Sequence, residues 1–330
     1  MSENKIPLLS ICIPTFDRSG LLEEALTALV ANISDCKDSD TEVVISNNAS
    51  TDGTQQLCEK FRQDHPHINW NVVKQPVSVG ADNVQIVTTF ATGRYIWILS
   101  DDDILLPGAV STILENIKEG YDVLLTNHTS FDANIAVQLP PHFVETQDIT
   151  FVGPNETIEY LGTMITFLSI ICFRAVLVDV HAYGFAFGSN LPQSYMFLDA
   201  ILSSKSQKLI FSPVLSARRN NTGGYSVFNV FIEKFFVLLE YGKQKGIEFD
   251  VVERVKRKHL IRFLLPLVVL MKTGGIGALA PDWSSTKELF RQYYGRNMIY
   301  WLLVAPMVYA SPKVVYALAN IRRLVKGLKR

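Results

Sequence analysis

The chain has 330 residues, 48% of them hydrophobic and 19% charged, with a formal net charge of -1 and a mean hydropathy of +0.17. Those values exclude a disordered chain, a collagen and a small disulfide-stapled scaffold, and the near-neutral total gives no nucleic-acid footprint. The total conceals an asymmetry: residues 1–250 carry 16 Lys+Arg against 29 Asp+Glu, whereas residues 251–330 carry 15 against 3. The length suits one large α/β domain with an appendage, or two domains.

Leu8 to Ile13 is an apolar run ending at Pro14, which predicts a buried parallel strand. Leu21 to Val30 follows with apolar residues at helical spacing. The alternation continues: Glu42 to Ile45 strand, Thr54 to Gln63 helix, Asn69 to Lys74 strand, Ala81 to Ala91 helix, Tyr95 to Leu99 strand, Pro107 to Lys118 helix and Asp122 to Thr126 strand. Such alternation predicts βαβ units and an α/β fold with a mostly parallel sheet covered by helices on both faces. Residues 151–225 read as mixed, and the pattern turns helical beyond Val227. Cys12, Cys36, Cys58 and Cys172 are scattered without a C-x-x-C pair, and the N-terminus lacks the features of a signal peptide. Both point to a reducing, cytoplasmic setting.

In parallel sheets ligands bind beyond the carboxyl ends of the strands. Three loops sit at such ends: PTFDRSG, SNNASTDGT and SDDD. Asp101, Asp102 and Asp103 are consecutive carboxylates after the strand YIWIL, and a hard cation such as Mn²⁺ or Mg²⁺ compensates that arrangement, sharing one or two carboxylates with water and phosphate oxygens. The simpler reading is a solvated acidic turn capping the helix that starts near Pro107. In the second loop, Asp52 or Thr54 suits a helix N-cap, and the amides of Asn47 and Asn48 can donate and accept against a nucleobase edge. Asp17 and Arg18 form either a surface turn or, through the planar guanidinium, a partner for a diphosphate.

The order PTFDR, SNNASTDGT, GADN and GRYIWILSDDDILLPGAV resembles family 2 glycosyltransferases of the GT-A fold, over roughly residues 8 to 130. The resemblance implies a sugar-nucleotide donor, a divalent metal and inversion at the anomeric carbon. It implies a nucleotide contact for Pro14, Thr15, Asp17 and Arg18, for Asn47, Asn48 and Asp52, and for Asn83. Asp102 falls on the principal metal ligand, with Asp101 beside it at the ribose or metal and Asp103 as a third carboxylate. Asn47 stands where the family usually has aspartate, which opens the donor to UDP, CDP or dTDP. Family members commonly place the catalytic base in an ED pair at a helix start, but Leu191 to Phe197 holds no carboxylate. Asp199, on the same helical face as Tyr195, is the nearest candidate base, with an ordinary helix residue as its alternative; Asp132 and His128 are weaker candidates. The loop SPVLSARRNNTGGY resembles a branch that includes abequosyltransferase-like O-antigen enzymes, with Arg218, Arg219, Asn220 and Asn221 placed to close over a diphosphate or to form a polar hairpin.

The resemblance and the charge division together predict a GT-A domain over residues 1–225, with a nucleotide-binding half to about 130 and an acceptor half from 131, and a helical, basic, membrane-associated region over 226–330. Phe263 to Met271 and Met298 to Ala310 are apolar runs broken by proline, too short to be read as spans, set among Lys256, Arg257, Lys258, Arg262, Arg291 and Arg296 and followed by Arg322, Arg323, Lys326, Lys329 and Arg330. That composition suits a peripheral or monotopic attachment at the cytoplasmic face of the inner membrane, or a helical subdomain packing on the body or on a second copy. The expected partners are a nucleotide sugar, a saccharide acceptor on a polyprenyl carrier and the membrane surface, with no nucleic acid. Two rivals to sugar transfer stand beside this reading: a non-catalytic nucleotide-binding scaffold of a membrane complex, and a nucleotidyltransferase, for which PTFDRSG is poor in glycine.

Overall fold

Leu9, Ile11 and Ile13 alternate with Ser10, Cys12 and Pro14, and the period of two puts the larger apolar side chains on one face of a strand. In the computed structural model, which describes residues 6–36, 40–219, 225–274 and 281–318, that strand is β1 (Leu9–Thr15). The chain divides into two units, residues 1–219 and 220–330.

The first unit continues with α1 (Ser19–Ser34), β2 (Thr41–Asn47), α2 (Thr54–Asp64), β3 (Asn69–Lys74), a single turn α3 (Asn83–Ile86), β4 (Tyr95–Ile98), β5 (Ile104–Leu105) and α4 (Ala109–Lys118). Then come β6 (Val123–Phe131), β7 (Ile149–Phe151), α5 (Pro154–Leu161), β8 (Ile171–Arg174), α6 (Pro192–Ser203) and β9 (Gln207–Arg218). The sheet order is β3-β2-β1-β4-β8-β6-β9-β5, with β7 also paired to β9. The half from β3 to β4 is parallel throughout. Beyond it, β8 runs antiparallel between β4 and β6, and β6 and β9 are parallel to each other. Leu22, Leu26 and Leu29 of α1 and Val110, Ile113 and Ile117 of α4 pack with Ile11, Ile13, Val43, Ile45 and Trp97 in one apolar core, so the sheet's carboxyl edge stands on a rigid base.

Two elements differ from the sequence reading. The predicted helix over Ala81–Ala91 is broken into a 3₁₀ turn, α3 and a second 3₁₀ turn at Val87–Phe90. Thr88 and Thr89 donate their hydroxyls to the carbonyls of Gln85 and Ile86, three residues back, which competes with regular α-helical bonding in a β-branched stretch. The strand predicted over Asp122–Thr126 runs on to Phe131, through a register shift between Thr126 and His128 that the polar residues there concealed.

Gly93 shows how tightly the amino edge is packed. A Cβ there would lie 2.5 Å from Ser10 Oγ and 2.8 Å from the Ser10 main-chain nitrogen. The same corner buries Glu42, whose carboxylate accepts from Ser10 Oγ, Thr92 N and Oγ1, and Gly93 N, a structural role for a charge inside the sheet.

The second unit is helical: α7 (Phe235–Gln244), α8 (Phe249–Lys258), α9 (Leu265–Lys272), α10 (Trp283–Tyr294) and α11 (Ala305–Tyr309). Widened π-helical turns at His259–Leu264 and Tyr300–Val304 lead directly into Pro266 and Pro306, each of which lacks the N–H that a regular turn would use. Its core gathers Phe228, Leu264, Val268, Phe290, Tyr300 and Val304. His259 is buried there, with Nε2 2.6 Å from the Phe231 carbonyl, and burial pushes its pKa down to about 3. Lys272 reaches the carbonyls of Val308 and Ala310 and closes the end of α11. Arg322, Arg323, Lys326, Lys329 and Arg330 lie outside the described residues.

Candidate active site

Because β1, β2 and β4 are parallel, the loops after them emerge at one edge of the sheet. Asp17 joins the first two. At φ 48° its backbone is left-handed, which turns the side chain back so that Oδ1 accepts from Thr51 N (2.7 Å), Asp52 N (3.3 Å) and Thr51 Oγ1 (3.3 Å), while Asp17 N donates to Ser50 Oγ. Asp52 returns the link: Oδ2 accepts from Ser19 N at 3.0 Å and Oδ1 from Thr54 N at 2.9 Å, fastening the starts of α1 and α2 together. Burial works against its charge, yet the hydrogen bonds from Thr54 and Ser19 prevail and hold the carboxyl below its ordinary value.

The third loop is a different kind of acidic site. Asp101, Asp102 and Asp103 are all buried, with residue exposures of 3%, 6% and 5%. Arg18 Nη1 donates to Asp101 Oδ1 at 3.0 Å and stands 3.9 Å from Asp102 Oδ2. Burial, seconded by Asp102, raises the Asp101 carboxyl above its usual range despite the Arg18 guanidinium. Asp103 is pushed up to about 8, first by burial and then by Asp102, against hydrogen bonds from Ser169 Oγ (2.7 Å) and Arg218 N (3.4 Å). Asp102 Oδ1 accepts from Ser100 Oγ at 2.5 Å. Among the described residues no three His, Cys, Asp or Glu side chains gather around a single point. The run divides: Asp103, the third carboxylate of the sequence reading, turns to Ser169 and the β9 backbone, and Asp101 and Asp102 face the guanidinium. That donor set fits a hard cation taking one or two protein carboxylates and completing its shell with water and diphosphate oxygens.

A family model described as glycosyl transferase family 2 matches residues 10–180, which takes in all three loops. The chain belongs to glycosyl transferase family 2. Among the curated relatives of this glycosyltransferase, the abequosyltransferase RfbV of Salmonella typhimurium is 29% identical over 153 residues, 45% of this chain and 44% of that protein. The GalNAc(5)-diNAcBac-PP-undecaprenol beta-1,3-glucosyltransferase of Campylobacter jejuni is 32% identical over 116 residues, 35% of this chain and 36% of that protein. The chain thus matches less than half the length of either. Two solved structures share the fold: S. aureus TarS 1-349 in complex with UDP-GlcNAc, at TM-score 0.59 and 18% identity over 78% of this chain and 71% of that one, and the mannosyltransferase PcManGT of Pyrobaculum calidifontis with GDP-Man and Mn²⁺, at TM-score 0.55 and 15% identity over 96% and 88%. The architecture is the GT-A fold with a helical C-terminal region.

Within this family 2 glycosyltransferase the remaining sequence candidates fall into place as follows. Asn47 is fully buried, with Nδ2 donating to Gln55 Oε1 and Oδ1 accepting from Ser50 N, so its amide shapes the second loop. Asn48 spans to Val79 N and Gly80 O, and Asn83 holds Ser46 through both side-chain atoms. Pro14 and Thr15 close β1 at the same edge. The Arg218 guanidinium lies 4.6 Å from the Phe131 ring centre and bonds Glu24, and only the Arg218 main chain reaches Asp103. Asn220 and Asn221 lie outside the described residues.

Asp199 sits two turns into α6, which runs from the carboxyl edge of the sheet towards the amino end of β9, and it accepts from Tyr183 OH at 2.8 Å. Asp132 is exposed and 3.8 Å from Arg219 Nε. His128 stacks on His142 at 5.1 Å and leans on Phe167 at 4.7 Å, with its pKa pushed down to about 4 by burial and by His142. The hydrogen bond from Tyr183 suits Asp199 as the ordinary helix residue of the alternative reading. Sequence reasoning missed Ser169, which accepts from Ser100 N while donating to Asp103 and so fixes the third loop. A lone serine inside FLSIICF carries no signal of such a task.

Proposed function

We propose that the chain is a metal-dependent, inverting glycosyltransferase that moves a sugar from a nucleoside-diphosphate donor to a saccharide acceptor on a polyprenyl carrier, in cell-surface polysaccharide synthesis. The observation that carries this reading is the buried pair Asp101 and Asp102 at the carboxyl edge of β4 with the Arg18 guanidinium beside it, inside the segment that matches the family. Asp102, with Asp101 beside it, would hold Mn²⁺ or Mg²⁺. The ion supplies charge neutralisation for a departing diphosphate.

The chain's own residues do the rest. Asp17 and Asp52 fasten the first and second loops to each other, so the nucleotide meets a preformed rim. Ser169 and the Arg218 backbone hold Asp103, and Ser169, through Ser100, orients Asp102. Arg18 keeps a cation at the same place, where its planar fork suits the donor phosphates. The abequosyltransferase and the undecaprenol-linked glucosyltransferase among the relatives support a donor of deoxyhexose or hexose type and a lipid-linked acceptor.

The test is thermal stabilisation of the purified chain by UDP, CDP, GDP and dTDP, with and without Mn²⁺. A ligand at about 100 times its Kd adds about 2.7 kcal/mol to stability. One nucleotide, in the presence of metal, should raise the Tm, and Asp102→Asn should abolish that shift and any donor turnover without lowering the Tm of the unliganded protein. Full turnover by Asp102→Asn refutes the metal assignment.

A further inference from the structure

We propose that the outer face of Met298 to Tyr316 in the second unit docks on an anionic lipid bilayer without crossing it. The π-helical turn Tyr300–Val304 and α11 are apolar on two sides. Tyr300, Val304, Ala305 and Val308 point inward to the unit's core. The other side, where a water-facing helix carries charge, presents Met298 at 74% exposure, Leu302 at 67% and Leu303 at 50%, with Trp301, Pro306 and Tyr309 also exposed. A helix apolar all round is normally buried or in contact with lipid.

Charge identifies the occupant. Residues 289–330 contain eight Lys+Arg and no Asp or Glu. Of these Arg291, Arg296 and Lys313 are described and exposed beside the apolar face, a pattern that complements anionic headgroups. Trp301 adds a specific feature: its indole Nε1 donates to the Gly295 carbonyl at 2.8 Å, so the ring can enter the headgroup boundary without an unpaired donor. No helix among the described residues is long and apolar enough to cross a membrane, and the geometry is that of a surface lying in the interface. The inference does not depend on sugar transfer, because a chain without turnover would bind vesicles equally.

The test is co-sedimentation of the full chain with vesicles of phosphatidylcholine alone and of phosphatidylcholine mixed with phosphatidylglycerol. The unaltered chain should bind the anionic vesicles, with binding weakened by salt. Leu302→Asp combined with Leu303→Asp should lower the partition coefficient by at least about tenfold, with an unchanged melting profile because both side chains are exposed. Arg296→Glu combined with Lys313→Glu should lower binding to anionic vesicles selectively, and this pair carries the test if the first fails to fold. Binding by the leucine variant equal to the unaltered chain overturns the proposal, as does failure of the unaltered chain to bind. A chain that is dimeric in solution, and monomeric only in the leucine variant, overturns it in favour of a second copy on this face.

Discussion

Arg18→Met should destabilise the first unit through the carboxylates it leaves behind. The guanidinium is 3.0 Å from Asp101 Oδ1 and 3.9 Å from Asp102 Oδ2, and its side chain is 31% exposed against 5% and 8% for theirs. At an effective dielectric constant of about 20, the closer pair alone attracts by about 5 kcal/mol, most of which offsets the cost of drying the two charges. Removing one partner of a fully buried pair costs about 3–5 kcal/mol, and the partial exposure of Arg18 lowers that to about 2 kcal/mol. For a unit of this size the loss corresponds to a Tm lower by roughly 4–8 °C. Denaturant melts at neutral pH with chelator present would read it. Arg18→Met combined with Asp101→Asn removes the uncompensated charge and should recover most of the loss, a coupling of about 2 kcal/mol. Additive losses in that double variant would refute the claim that the guanidinium and Asp101 act as a pair.

Gly93→Ala should cost about 1–3 kcal/mol, because its Cβ would meet the Ser10 backbone at 2.8 Å, and a melt indistinguishable from the parent would show the amino edge to be looser than described. Asp199→Asn and Tyr183→Phe should each lower stability by about 1 kcal/mol and leave kcat within a few-fold, whereas loss of a true base costs about 10²–10⁴ in rate; a loss of that size for Asp199→Asn alone would restore Asp199 as the base. In metal-free protein, stability should fall as pH rises from about 4 towards 8. Asp103, pushed up to about 8, and Asp101, raised, keep protons in the folded chain that the unfolded chain gives up near the ordinary carboxylate value of 3.8. The Tm shift produced by Mn²⁺ with nucleotide should grow across the same window, since binding must displace those protons; a metal-free Tm that is flat from pH 4 to 8 would contradict the burial of these carboxyls.

The parallel half of the sheet was legible because each strand there is a short apolar run closed by a loop whose polar residues stand out in sequence. The second half was not, since β8 takes its place between β4 and β6 by pairing across long sequence separations, and residues 127–131 of β6 are too polar to announce a strand. The candidate site divides the same way. Asp17, Arg18, Asp52 and the Asp101–Asp103 run were visible as chemistry, and the structure brings them to one edge. Their separate tasks were not visible. Asn47 suggested a base-reading amide, and the loop-shaping task the structure gives it was not legible, because its bonds to Gln55 and Ser50 depend on a turn that only the folded backbone sets.

That division of tasks explains why the edge tolerates so many carboxylates. Asp17 and Asp52 are spent on main-chain amides, and for Asp52 the hydrogen bonds hold the carboxyl below its ordinary value without a cation. Asp101 to Asp103 are buried, and burial raises the carboxyls of Asp101 and Asp103 above their ordinary range, so this run is the part of the edge with most to gain from added positive charge. The start of α6 carries unpaired polar atoms of its own. Gln193 Oε1 and Ser194 Oγ are buried there without a hydrogen-bond partner, although Gln193 Nε2 is held by the Thr166 carbonyl. Unpaired buried acceptors cost about 1–3 kcal/mol each. Ser194→Ala, which removes a buried hydroxyl without a partner and leaves the Gln193 bond to Thr166 in place, should raise the Tm of the unliganded protein and leave the shift by nucleotide and metal unchanged; a lowered Tm would show that the hydroxyl is paired. A nucleotide shift lost with Ser194→Ala would place that helix end in the donor site.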